Sequence, residues 1–80
     1  MDAVQRAILE RLQTLQSKGR LAEMTVDDAA FAAGASPHEA VEALKELTRR
    51  GRLVEGSIGR PSTVVWRLQE QARTVAVPRA

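Results

Sequence analysis

The sequence predicts a mainly helical α+β domain in which three helices precede a C-terminal β-hairpin. Three observations carry that expectation. Between Val4 and Leu47 the apolar residues recur at helical spacing in three blocks, each preceded by a residue able to cap a helix. After Gly51 the helical period stops, and two short runs rich in β-branched and aromatic residues follow. Residues 56–62, Gly-Ser-Ile-Gly-Arg-Pro-Ser, are turn formers that separate those runs.

The first helix is opened by Asp2 with Gln5 and carries the stripe Val4, Ala7, Ile8, Leu12 and Leu15, with Gly19 as its stop. About seventeen residues would span about 25 Å, enough to cross both later helices. Leu9 lies off this stripe. Thr25 caps the second helix, with Asp28 in the capping-box position. Val26, Ala29, Ala30 and Ala33 are expected to face inward, and Phe31 to pack at the edge of the core.

Residues 30–47 are the most constrained segment. They read Ala30-x3-Gly34-x-Ser36-Pro37-x-Glu39-x-Val41-x2-Leu44-x2-Leu47. Ala30 is small enough for a second helix to pack closely, and Gly34 can take the positive φ that ends a helix in a tight turn. Ser36 can cap the next helix, Pro37 suits its first position, and Glu39 completes a capping box. Ala40, Val41, Leu44 and Leu47 then form one apolar stripe. A short helix, a tight turn and a second helix make a helix-turn-helix, most often used to lay its second helix in a DNA major groove.

Arg52-Leu53-Val54-Glu55-Gly56 begins the first strand, and Thr63-Val64-Val65-Trp66-Arg67-Leu68 forms the second, with Val64, Trp66 and Leu68 on one face. At this point the chain resembles the winged helix-turn-helix family of small DNA-binding domains. The resemblance covers roughly residues 2–68, and the order of elements carries it more than any single motif. It implies a three-helix winged domain over residues 1–68, with Leu21 to Met24 as a short third strand joining the wing. Residues 69–80 are left as a tail that can be flexible or form a dimer, with Thr74-Val75-Ala76-Val77 its only apolar run. Trp66 invites comparison with the winged domains that bind left-handed DNA. Val41 and Lys45, however, stand where those domains carry Asn and Tyr. Trp66 therefore reads as a core residue between wing and helices.

Composition narrows the function classes. Eighty residues allow one domain with one small core. The absence of Cys excludes disulfides, thiol chemistry and a cysteine zinc site, and suits a reducing cytoplasm. No apolar run reaches membrane-spanning length, and Met1-Asp2 opens no signal peptide. There is one His, no Gly-rich phosphate loop and no metal-ligand spacing, so neither an enzyme nor a cofactor nor a small-molecule substrate is expected. Net charge is only +2, and it is unevenly spread: residues 25–50 carry three Lys/Arg against five Asp/Glu, residues 51–80 five against two. The helix-turn-helix is slightly acidic, and the positive charge lies in the wing and tail.

Double-stranded DNA is the expected partner. Opposite the apolar stripe of the third helix stand His38, Glu42, Lys45 and Arg49, at spacing i, i+4, i+7 and i+11. In a major groove Lys45 and Arg49 can donate to guanine or phosphate, Glu42 can accept from a cytosine amino group, and His38 can do either. Ser36 opens that helix, and Arg49, Arg50 and Arg52 flank Gly51 beneath the wing. Arg60 stands at the hairpin tip, where an arginine can enter a narrow minor groove, with Ser62 and Thr63 beside it for phosphates. The alternative is a face occupied by Glu42–Lys45 and Glu46–Arg50 ion pairs that meets solvent or a basic protein partner. So few phosphate contacts per copy imply a homodimer, with the first helix, where Leu9 lies off the stripe, and the Thr74–Val77 tail as its surfaces.

Overall fold

The computed structural model describes residues 2–69 and contains three helices and one antiparallel sheet of three strands. In chain order these are α1 (Ala3–Ser17), β1 (Glu23–Met24), α2 (Val26–Ala33), α3 (Pro37–Arg49), β2 (Leu53–Ile58) and β3 (Thr63–Leu68). The domain is a small, mainly helical α+β fold, as the sequence predicts. The 70–80 portion of the expected tail, including Thr74–Val77, lies outside the described residues.

The helix starts follow local capping chemistry. Asp2 accepts a hydrogen bond from the Gln5 amide at 2.8 Å and opens α1. Thr25 and Asp28 form a reciprocal capping box on α2, with N···O distances of 3.2 and 3.1 Å. Ser36 and Glu39 repeat it on α3 at 3.1 and 3.0 Å, with Pro37 in the first turn. Between them Gly34 takes φ +62°, a left-handed conformation that a side chain would strain. The turn is closed by the Ala35 amide, which donates to the Ala30 carbonyl at 3.0 Å. α1 runs fifteen residues rather than seventeen and ends on Lys18, before the left-handed Gly19.

In the sheet β3 is central, with β1 on one side and β2 on the other. The register pairs Leu53 with Leu68, Glu55 with Trp66 and Ile58 with Thr63 on the hairpin side, and Met24 with Trp66 on the other. The third strand expected over residues 21–24 is present only as Glu23–Met24, locked to β3 by an ion pair between Glu23 and its cross-strand neighbour Arg67 at 3.0 Å. β2 runs on through Ile58, so the connection is four residues long, 59–62, rather than the seven of the turn-rich segment. Ladder pairing overrides the poor strand propensity of Gly56 and Ser57, because a paired partner strand satisfies their backbone groups.

One core lies between the helices and the sheet. Ile8, Leu12, Ala29, Ala40, Leu44 and Leu47 are fully buried, with Met24, Leu53, Trp66 and Leu68 from the sheet. Trp66 fills the space between hairpin and helices, as expected of a core residue. Four placements differ from the sequence reading. Leu9 is 4% exposed and belongs to the core, so it is no dimer contact. Ala43 is buried where Val41 was expected; Val41 is half-buried, because a shoulder of α3 turns towards α1. Val64 shares the face of Trp66 and Leu68 but is exposed, since it lies beyond the reach of the helices. Phe31 is 91% exposed and packs on no core edge.

Truncating the two aromatic residues separates core from surface. Trp66→Ala removes most of a buried ring and should cost about 3–5 kcal/mol of unfolding free energy. Phe31→Ala should change stability by no more than about 0.5 kcal/mol. Urea denaturation of both variants checks the contrast; equal losses would place Phe31 in the core.

Candidate nucleic-acid interface

The expected site residues fall into two groups on the fold. Ser36, His38, Glu42, Lys45, Arg49 and Arg50 belong to α3 and its caps, while Arg60, Ser62 and Thr63 form the end of the β2–β3 hairpin. Arg52 lies between them, just after the left-handed Gly51. That turn is fixed by its backbone: the Arg52 amide donates to the Leu47 carbonyl at 2.9 Å, and the Arg52 carbonyl accepts from the Gln69 amide at 3.0 Å. The arginine side chain therefore projects from an anchored position between helix and hairpin.

On α3 the buried set Ala40, Ala43, Leu44 and Leu47 leaves His38, Glu42, Lys45 and Arg49 together on the solvent side, all exposed. The exchange of Ala43 for Val41 in the core does not disturb that outer stripe. The charges along it are unequal, however. Glu46 binds Arg50 at 2.8 Å and also pairs with Arg49 one turn away. Both guanidiniums remain largely exposed, at 73% and 51% of their side chains. The hydrogen bond from Arg50 is the largest influence and holds the Glu46 carboxyl below the ordinary glutamate range; desolvation opposes it, and the nearby charges of Arg49 and Arg50 add smaller lowering effects. Spacing alone points to the Glu46–Arg50 pair; that Glu46 also takes Arg49 is visible only in the geometry. The anticipated Glu42–Lys45 pair is not formed, and Lys45 has no ion-pair partner among the described residues.

A shallow hollow separates this flank of α3 from the start of α1. Asp2, Gln5, His38, Glu39, Glu42, Glu46 and Arg50 line it, so four carboxylates share it with one histidine and one arginine. His38 and Glu42 thus belong both to the outer stripe and to an acidic recess. The Ser36 hydroxyl is already committed, as it accepts the Glu39 amide in the capping box. Sequence reading took Ser36 as both cap and contact; the cap is the role the geometry displays.

The hairpin group is less encumbered. Every residue from Glu55 to Val64 is exposed, so the distal half of the hairpin stands clear of the core. Gly59 takes φ +78° and turns the chain, and the Arg60–Pro61 peptide is cis. Arg60, Ser62 and Thr63 are exposed, and no side-chain hydrogen bond or ion pair engages them among the described residues. The arrangement offers one free guanidinium and two hydroxyls within four residues. Such a set can donate to phosphate or to acceptors on a groove floor.

Among the described residues no cluster of His, Cys, Asp or Glu has metal-binding geometry, and no helix is long and apolar enough to cross a membrane. Compared with known proteins, the chain matches no family model, no curated protein and no solved structure.

The Glu46 clamp has a direct spectroscopic signature. A carboxyl stabilised as the anion keeps its contribution above the ordinary glutamate pKa of 4.5 and loses it as pH falls through its own lower value. In a side-chain carboxyl NMR titration the Glu46 midpoint should lie below 4.5, and in Arg50→Ala it should move up towards that value. A midpoint unmoved by the substitution would remove Arg50 as the cause.

Proposed function

We propose that this domain is a winged helix-turn-helix module that binds double-stranded DNA, acting as a small transcriptional regulator. The observation that carries the reading is the projecting hairpin with Arg60 free at its tip. In the proposed complex α3 lies in the major groove and the hairpin serves as a wing against the minor groove, where negative potential is greatest. Arg60 is the principal wing contact, and Ser62 and Thr63 bond the flanking phosphates. Lys45 and Arg52 contact the phosphate backbone directly. Arg49 and Arg50 join them only by exchanging Glu46 for phosphate, so their net contribution is smaller than their charge implies. His38 and Glu42 face bases, with Glu42 accepting from a cytosine amino group.

A second reading has one specific observation in its favour. The recess bearing Asp2, Glu39, Glu42 and Glu46 would repel phosphates and attract a basic protein surface. In that reading α3 is a protein-docking helix and DNA is not read at all. Titration with random duplex at two salt concentrations separates the readings. Duplex binding weakens with salt in proportion to the phosphates neutralised, and absence of binding at low salt would favour the protein partner.

Arg60→Ala should weaken duplex binding by about 1–2 kcal/mol, the scale of one charge-assisted contact. The melting temperature should hold, because the residue is exposed and touches no core group. If the contact is to phosphate, the salt slope should fall by somewhat less than one unit, about 0.9 per phosphate. Glu42→Ala is the companion: relaxed sequence preference marks base reading, and tighter binding to every sequence marks simple repulsion. Unchanged affinity in Arg60→Ala would take the hairpin out of the interface.

A further inference from the structure

Phe31 is the least expected residue of this surface. A phenylalanine ring buries about 150–250 Å² in an ordinary core or interface, yet here the residue is 91% exposed. It stands at the rim of a groove of about 550 Å³ between α1, β1 and α2. Arg11 and Leu15 of α1, Glu23 and Met24 of β1, and Asp28 and Ala32 of α2 line the rest of it. Leu15, Met24 and Ala32 supply apolar surface. The charged members are of both signs, with the cation on α1 and the carboxylates on β1 and α2, of which Glu23 is already paired with Arg67.

We propose that a second copy of this chain occupies the groove, each Phe31 ring seating in the groove of the other about a two-fold axis. Three features favour a copy over a foreign partner. A two-fold interface needs a patch complementary to itself, and here a protruding ring and a receiving groove share one patch. The charges are self-complementary as well. Arg11 has no ion-pair partner among the described residues, and two-fold apposition sets it against Asp28 of the other copy. A uniformly acidic or basic partner would instead oppose one member of that set. Space is sufficient too: an apolar cavity of about 150 Å³ already admits benzene, well below the volume of this groove.

The interface leaves the proposed DNA contacts free. A standard interface takes about 800 Å² from each partner, roughly one-seventh of the 5267 Å² this chain exposes. None of the groove residues belongs to α3 or the hairpin tip. The surface keeps the first helix through Arg11 and Leu15 but not through Leu9, which is buried in the core, and the Thr74–Val77 part of the sequence expectation lies outside the described residues. It does not depend on DNA binding, because association can be measured with no DNA present.

Sedimentation equilibrium of the 80-residue chain across a concentration series tests it. The average mass should climb from 8.7 kDa towards twice that value. Phe31→Gln should weaken association by about tenfold or more, as for a central aromatic contact, while the melting temperature measured at concentrations too low for association stays unchanged. Amide shifts on dilution should centre on Arg11, Leu15 and Ala32. A single-chain mass at every concentration would overturn the proposal. So would undiminished association of Phe31→Gln, or dilution shifts centred on α3. Duplex titration of the unmodified chain is read separately, so failure of the dimer and failure of DNA binding leave different records.

Discussion

The close approach of α2 to α3 is the constraint on which the rest of the structure hangs. Ala29 and Ala40 are completely buried, which lets two helical backbones come together where larger side chains would hold them apart. The turn between them spans only Gly34, Ala35 and Ser36, and its left-handed glycine leaves little freedom in the crossing. With that pair fixed, Leu44 and Leu47 point into the space bounded by Ile8 and Leu12 of α1. Trp66, Leu53 and Leu68 close it from the sheet. A core this small has no redundancy, so a bulkier residue at position 29 or 40 would displace the helix that carries most of the candidate contacts.

The same economy explains why the hairpin projects. Helices of fifteen, eight and thirteen residues cover only the base of a sheet whose hairpin strands are six residues long. The pairs nearest the helices, such as Leu53 with Leu68, are buried, while Ser57–Val64 and Ile58–Thr63 are exposed. The end of the hairpin beyond the buried Val65, from Ser57 to Val64, is therefore held by its ladder rather than by side-chain packing. Its four-residue connection leaves Arg60 with few ways to fold back onto the domain, so the cation is displayed by the length of the strands.

What was legible in the sequence were interactions that act over three or four residues. Thr25–Asp28, Ser36–Glu39 and Asp2–Gln5 are local pairs whose geometry follows from spacing, and all three form. The outer stripe of α3 was legible for the same reason. Leu9, Phe31 and Val64 were not, because their burial depends on where other elements end. Leu9 is covered by a neighbour that helical periodicity cannot see. Phe31 sits on a face of α2 that none of the described elements covers, and Val64 extends past the helices. The first strand runs past its expected limit at Gly56 to include Ser57 and Ile58, where partner pairing outweighs local preference. The double role of Glu46 was half legible, since spacing reveals each candidate arginine but not that one carboxylate holds both.

Charge placement links the proposed DNA reading to the proposed dimer. With Arg49 and Arg50 partly neutralised by Glu46, the cations on this surface free of an ion pair among the described residues are Lys45, Arg52 and Arg60. Three phosphate contacts would give weak binding, because each contributes mainly through counterion release and the four carboxylates of the hollow beside α3, offset there by Arg50, would oppose approach. A single copy would thus hold DNA poorly at physiological salt. Joining two copies through a surface that includes no residue of α3 or the hairpin tip would make the second binding event intramolecular, and affinity would then rise through effective concentration without any new contact. The acidic flank becomes an advantage in that arrangement, since it suppresses binding of lone copies to arbitrary sequence while a correctly spaced pair of half-sites recovers the loss. In the proposed complex, weak individual contacts and a self-complementary groove that shares no residue with α3 or the hairpin tip are two parts of one solution to specificity.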